Sequence, residues 1–280
     1  MRLLVTGAAG MLGQDVVSVA QTAGHDVVAL TRADLDITDT DAVRHAVLDA
    51  SPSAVINCAA WTDVDGAESA EDAAAAINGL AAGTLAKAAM DAGAHIVQVS
   101  TDYVFAGDSS EPYLESDPVD PRTAYGRTKL HGEAAVREAN PRHAIVRTAW
   151  VFGPGGKNFV DTMRRLAGER DEVTVVDDQV GCPTYTGHLA AALVEVAERQ
   201  LTGTMHVAGS GQCSWHDLAA AAFEATGAEV TLHRGSSAEL DRPAPRPAFS
   251  VLGTERDDTP RLPFWQDGLA AHLAASAARY

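Results

Sequence analysis

A tyrosine and a lysine four residues apart, Tyr125 and Lys129 in the stretch Tyr125-Gly126-Arg127-Thr128-Lys129, are the pair in this chain whose types and spacing point most directly to chemistry. Four residues is close to one helical turn, so in a helix both side chains share a face. A tyrosine hydroxyl, with a pKa near about 10, gives up a proton poorly at neutral pH, and a nearby ammonium favours the phenolate and draws that pKa down. The pair then serves as a general acid or base. The alternative reading is two exposed helix residues, and the rest of the chain has to decide between the two.

The surrounding elements supply that context. Arg2-Leu3-Leu4-Val5 reads as a buried strand, followed by a glycine loop with Gly7, Gly10 and Gly13 and then a helix from Gln14 to Ala23. Strand, glycine loop and helix in that order let a backbone approach a pyrophosphate at the helix N-terminus, although a tight turn alone would use glycine too. A second strand, His25 to Leu30, ends at Thr31-Arg32. An arginine at this tip can hold a 2′-phosphate, so Arg32 favours NADPH, with NADH as the second candidate because Asp34 lies two residues on. Asp36 is read either as part of a capping signal for a helix from Asp41 to Ala50 or as a contact to an adenine edge. Ala54 to Asn57 is a third strand, and the small residues Ala59 and Ala60 after it, with Trp61 and Thr62, leave room for a cofactor. Val64 to Glu68 lead into one long alanine-rich helix, expected to reach about Ala92.

A fourth strand, Ala94 to Val99, runs into Ser100-Thr101-Asp102. There a Thr101 hydroxyl would face the crevice of Tyr125 and bond a carbonyl or alcohol oxygen, unless the triplet is only turn chemistry. The polar loop 107–121 reads as a lid or substrate edge, the tyrosine helix as Thr123 to Ala139, and Ala144 to Arg147 as a fifth strand. About five alternations of strand and helix predict an α/β fold, a Rossmann-like doubly wound parallel sheet. The expected division is a nucleotide-binding domain at 1–153 and a smaller, mainly substrate-binding region at 154–280, with some elements returning to the first domain. In that region helices are expected from Lys157 to Gly168, Gly187 to Arg199, Ser214 to Ala225 with Ser214 as cap, and from Phe264 onward. Strands are expected at Glu172 to Val176 and Met205 to Val207.

Composition narrows the classes. The chain has 280 residues, 46% of them hydrophobic, and a formal charge of -17. That charge argues against a nucleic-acid or membrane-surface partner and requires local cations for any anionic ligand. Three widely spaced cysteines, Cys58, Cys182 and Cys213, suit a reducing compartment and are read as packing residues. No secretory signal and no apolar run of about 20 residues is present, so a cytoplasmic protein is expected. His206, His216 and His233 are isolated, and no metal site is assigned. Oligomeric state stays open, a homodimer being one candidate.

Together the glycine loop, Thr101 and the Tyr125/Lys129 pair resemble the extended short-chain dehydrogenase/reductase superfamily. Further stretches resemble one branch of it, the dTDP-4-dehydrorhamnose reductases: 59–68 (AAWTDVDGAE), 100–105 (STDYVF), 125–129 (YGRTK), 147–152 (RTAWVF) and 178–184 (DQVGCPT), with a looser match at 246–252. The resemblance spans nearly the whole chain. It implies NADPH-dependent reduction of the 4-keto group of a dTDP-linked 6-deoxysugar, giving dTDP-L-rhamnose or a close relative. It gives Tyr125 the proton donor's place and Lys129 the place that orients the cofactor ribose. Thr101 falls where the family has a hydroxyl near the reacting oxygen. Gly10, Met11, Leu12, Asp36, Ile37, Ala60, Trp61 and Thr62 match cofactor contacts, and Thr62, Val64, Thr101, Asp102 and Trp150 match positions lining the sugar site. Cys58 stands where alanine is common and Phe249 where asparagine is common. Magnesium is implied by the resemblance alone, since no carboxylate cluster in the sequence places it. Lys157, Arg164, Arg165 and Arg246 are candidates to meet the diphosphate. The rivals are a nucleotide-sugar epimerase, a dehydratase, against which the missing glutamate after Asp102 counts, and a non-catalytic regulatory subunit on the same fold.

Overall fold

The first apolar run forms an interior strand: in β1 (Arg2–Thr6) Leu3, Leu4 and Val5 are fully buried, as a strand covered on both faces must be. The chain continues through α1 (Met11–Thr22), β2 (Asp26–Leu30), α2 (Thr40–Ala50), β3 (Ala54–Asn57), α3 (Val64–Ser69) and α4 (Glu71–Ala75). A π turn at Ala76–Leu80 leads to α5 (Ala81–Asp91), β4 (His95–Thr101), α6 (Ala124–Ala139) and β5 (His143–Thr148). The second half contributes β6 (Val151–Phe152), α7 (Phe159–Glu169), β7 (Glu172–Val176), β8 (Val180–Gly181), β9 (Thr184–Tyr185) and α8 (Thr186–Arg199). It ends with β10 (Gly203–His206), β11 (Cys213–Ser214), α9 (Trp215–Thr226), β12 (Thr231–Gly235) and α10 (Trp265–Ala277). The computed structural model describes residues 1–277, so the last three residues of the expected closing helix lie outside the described residues.

Six strands make one parallel sheet in the order β10-β5-β4-β3-β1-β2. Leu3 and Val5 point to the face covered by α1 and α8, against Val16, Ala20, Leu189 and Leu193. Leu4 points to the other face, against Val43 and Val47 of α2 and Leu85 and Ala89 of α5. Each fully buried leucine or valine contributes about 1.5–3 kcal/mol, so the two layers hold the strand ends in fixed register. The sixth strand, β10, and the helix α8 come from the second half of the chain, so the sheet that carries the site is finished late. A smaller layer, α7 and α9 against the parallel pair β7 and β12, packs on Met163, Val173, Val175 and Phe223.

Two expectations need correction. The single helix expected beyond Glu68, to about Ala92, is broken, and helix begins earlier, at Val64: Ala70 leaves helical geometry at φ -138°, and the π turn follows α4. Alanine content carries propensity but not phase; the phase is set by Asn78, buried in the π turn, whose Oδ1 accepts from Trp61 N at 2.9 Å and whose Nδ2 donates to Thr128 Oγ1 at 3.1 Å. Strand β12 has no counterpart in the sequence reading, because its residues are largely exposed and show no clean alternation.

Candidate active site

The turn after β1 requires glycine twice. Gly7 has φ +67°, and a Cβ there would lie 2.6 Å from Ala59 N, so the loop rests directly on the end of β3. A Cβ on Gly13 would collide with the Gly7 carbonyl, which already accepts from Gly10 N at 2.9 Å. Gly10 caps α1 without a side chain, so the first-turn N-H groups remain available to an anion. Beside this turn lies a cavity of about 470 Å³ lined by Gly7, Gly10, Arg32, Asp36, Ile37, Ala59 and Ala60, with Cys58 between β3 and the alanines. A cradle without Cβ atoms, an uncapped helix end and an adjoining cavity fit a dinucleotide. Met11, Leu12 and Gly13 open α1 at its side, Leu12 packing into the core. Trp61 and Thr62 follow Ala60 beyond the lining, and Trp61, like Tyr125, packs against the buried alanines Ala67, Ala74 and Ala124. Cys58, read as a packing residue, is only partly buried and faces this cavity; Cys182 and Cys213 are buried, and all three thiols are free.

At the rim the carboxylates are committed to their own loop. Asp34 accepts from Thr31 N at 2.9 Å and Thr31 Oγ1 at 2.6 Å, and those bonds hold its carboxyl below the usual range. Asp36 accepts from Thr38 N and Oγ1 at 3.0 and 2.7 Å, while Asp39, not Asp36, caps α2 through Ala42 N at 3.0 Å. Arg32, exposed at the cavity edge, has none of these ties.

Helix α6 presents the tyrosine. Thr123 caps it by accepting from Gly126 N at 3.0 Å, and Gly126 lets it pack on the Tyr103 carbonyl, where a Cβ would clash. The Tyr125 ring stands edge-on to Tyr103 with centroids 5.5 Å apart. Lys129, 4% exposed, donates from Nζ to Val99 O at 2.7 Å, and Thr101 closes β4 with Oγ1 donating to Asp102 Oδ1 at 2.9 Å. Asp102 is buried, and no hydrogen-bond partner reaches its Oδ2. Burial pushes the Asp102 carboxyl up to about 6, against the pull of the Ser250 hydroxyl first and the Thr101 hydroxyl second. Burial also pushes the Tyr125 hydroxyl up to about 12, with Thr101 opposing, and brings the Lys129 ammonium down to about 8, against the attraction of Glu133. The expectation that Lys129 draws the tyrosine down is therefore corrected for these side chains: the ammonium is tied to a strand carbonyl, and desolvation of the phenolate dominates.

Trp150, directly after β5, takes φ +46°, a left-handed conformation that bulky residues rarely adopt. Its ring lies against Gly181 and stacks face to face on Trp215, centroids 3.6 Å apart. Trp215 in turn donates from Nε1 to Gln179 Oε1 at 3.2 Å. Nothing in the sequence singled out Trp215, which is far along the chain and opens α9. Val64 begins α3 and is partly exposed, and Thr62 is exposed before it. Of the cations expected to meet a diphosphate, Arg246 holds Asp65 with two bonds of 2.9 and 2.7 Å, whereas Arg164 and Arg165 pair with Asp161 and Glu169 on their own helix. Lys157 is exposed, and Phe249 packs among apolar neighbours around Phe105 and Tyr113. Among the described residues one group could present ligands to a cation, Asp177, His216 and Asp217; Asp177 is already paired with Ser214 and Arg234. Asp177 lies too far from the adjacent His216 and Asp217 in sequence for any spacing rule to find the group.

A family model described as the RmlD substrate binding domain matches residues 1–278. A protein of Mycolicibacterium smegmatis named dTDP-4-dehydrorhamnose reductase is 45% identical over 282 residues, 98% of this chain and 85% of its own length. One of Streptomyces niveus named dTDP-4-keto-6-deoxy-D-glucose reductase is 45% identical over 259 residues, 90% of this chain and 88% of its own. The crystal structure of a dTDP-4-dehydrorhamnose reductase from Bacillus anthracis in complex with NADP superposes with a TM-score of 0.95 at 36% identity, covering 98% of this chain and 99% of that one. Sheet, glycine loop and tyrosine helix thus all fall within a match that leaves out only the last two residues, and the chain belongs to the RmlD substrate binding domain family.

Proposed function

We propose that the protein reduces the 4-keto group of dTDP-4-dehydro-L-rhamnose to dTDP-L-rhamnose, with NADPH as preferred hydride donor and NADH as second. The observation that carries this reading is that Thr101, closing β4, bonds the Tyr125 hydroxyl of α6, while Lys129, on the same helix, acts on Cys58 in the wall of the glycine-lined cavity. The relatives' names supply the sugar class.

The N-H groups of the Gly7–Gly13 turn would hold the pyrophosphate, Arg32 the 2′-phosphate and Lys129 the nicotinamide ribose. NADPH, when bound, supplies the hydride that the sugar C4 accepts. Tyr125 gives its proton to the carbonyl oxygen, and a hydroxyl pushed up to about 12 stays protonated at neutral pH, the form that reduction needs. Thr101 bonds the same oxygen. Its hydrogen is free for that bond when Asp102 is protonated and donates in its turn, the minor form of a carboxyl near 6 at neutral pH and a growing one as pH falls toward 6. Trp150, backed by Trp215, offers the deoxysugar a flat apolar wall.

We divide the chain into a nucleotide-binding part at 1–153 and a mainly substrate-binding part at 154–280, with α8 and β10 returning to the first. Free thiols and an acidic surface support a cytoplasmic setting. A second reading, reduction of another dTDP-4-keto-6-deoxysugar, is favoured by the Streptomyces niveus relative, as similar as the rhamnose-named one. The test is nicotinamide oxidation by the purified chain with each sugar and each cofactor. Oxidation dependent on the rhamnose precursor and faster with NADPH is expected; preference for a different sugar selects the second reading, and binding without turnover favours the regulatory-subunit rival.

A further inference from the structure

Behind the tyrosine helix lies a buried ionic cluster that the reaction as described does not use. Glu133, one turn beyond Lys129 on α6, is fully buried. Its Oε1 accepts from Arg147 Nε at 2.9 Å and from Ser100 Oγ at 2.7 Å, and its Oε2 from Arg147 Nη2 at 2.8 Å and Arg137 Nη2 at 2.9 Å. Arg147 is 3% exposed, whereas the Arg137 side chain is 40% exposed. An ion pair this deep seldom adds stability over apolar residues of the same size. Its position on the same helix face as Lys129 points to another use.

We infer that Glu133 is a positioning residue for Lys129: its buried carboxylate, one turn along the same face of α6, is the counter-charge that keeps the lysine ammonium protonated where Nζ bonds the Val99 carbonyl. The inference rests on the proposed role of Lys129 in the reduction. The groups facing this region from each packed element leave Glu133 as the carboxylate that acts on Lys129; the buried Asp102 carboxyl, just past β4, bonds Thr101 and acts on the Tyr125 hydroxyl of α6. From α6 come Glu133 and Arg137. From β5 comes Arg147, backed on β10 by His206, whose Nε2 lies 3.5 Å from Arg147 Nη1 and which burial holds toward its neutral form. From β4 come the Ser100 hydroxyl and the Val99 carbonyl, and at the end of β3 the Cys58 thiol, which burial keeps protonated. Glu115 accepts from the His206 backbone N and so lies beyond the histidine. Remove the Glu133 charge and two buried cations remain, Arg147, which bonded it, and Lys129, one turn away on the same helix face. The lysine is the one that can shed a proton.

The chain contains three lysines, Lys87, Lys129 and Lys157, and the other two are exposed, so side-chain-labelled lysine gives three nuclear resonances that can be followed through a pH titration. Lys129→Arg assigns the signal. In the native protein Lys129 should titrate near about 8. Glu133→Gln should lower that midpoint by about one pH unit or more, as expected for losing an adjacent opposite charge. Arg137→Gln, a change at a partly exposed side chain that leaves the buried pair intact, should raise it, and it carries the test if Glu133→Gln does not fold. A Lys129 midpoint that does not move in a folded Glu133→Gln protein, or that falls or stays put in Arg137→Gln, would overturn the inference, because packing alone predicts no such opposite shifts. If the native protein does not reduce the sugar, the proposed function falls while the titration still reports on Glu133; if it does and the midpoint stays fixed, the inference falls alone.

Discussion

At the residue scale the account turns on which protons are held where. Tyr125→Phe removes the proton donor but keeps the ring against Tyr103, so turnover should fall about 10²–10⁴-fold while NADPH binding, followed by fluorescence, stays near the native value. Asp102 gives a stability prediction with a definite sign. Its carboxyl moves from an ordinary 3.8 up to about 6 on burial, so the neutral form suits the folded state. The stability it contributes is fully present below about pH 4 and is lost as pH rises toward and through about 6, a difference of about 3 kcal/mol. Asp102→Asn should therefore gain melting temperature relative to the native protein at about pH 7 and gain little at about pH 4. An equal change at both would show that this carboxyl is ionised freely in the fold. Tyr125, Lys129 and Thr101 were readable from sequence because the helix turn and the strand end that carry them are local patterns. Trp215 and Glu133 were not, since each acts through a partner on another element, Trp150 in one case and Arg147 in the other.

At the element scale the π turn and α6 are fitted backbone to backbone. A Cβ added at Gly132 would run into the Asn78 carbonyl, which sits in a turn that cannot yield without losing the bonds of Asn78 to Trp61 and Thr128. Gly132→Ala, which elsewhere in a helix would stabilise by up to about 1 kcal/mol, should here cost about 2 kcal/mol or more in denaturant unfolding. A neutral or stabilising result would mean that the two helices are not in this contact. Alanine-rich sequence announced a helix beyond Glu68, to about Ala92, and concealed the break at Ala70 and the shift of phase, because propensity is summed over a window whereas a π turn is a single-residue insertion held by tertiary bonds. The strands fared better: buried apolar runs such as Ala54 to Asn57 match their observed bounds because both faces of a parallel sheet are covered.

At the scale of the whole molecule, six parallel strands bring the glycine turn after β1, the alanines after β3, Thr101 after β4 and Trp150 after β5 to one edge of the sheet, the carboxyl end where ligands bind in such folds. The sequence pattern predicted this doubly wound sheet, but β10 joining β5 at its far edge depended on contacts that no local pattern holds. A net charge of -17 means that the few cations near the site have to do the work of holding anions. The measurement that tests the central claim most directly uses NADPH carrying deuterium on the transferable position of its nicotinamide ring, mixed with dTDP-4-dehydro-L-rhamnose, with the product sugar read by nuclear magnetic resonance. The account predicts one deuterium, at C4 of a dTDP-L-rhamnose product, formed in step with cofactor oxidation. Product formed with no deuterium at C4, or solvent hydrogen incorporated at a neighbouring carbon without net oxidation of the cofactor, would contradict it and point to an epimerase or dehydratase on the same fold.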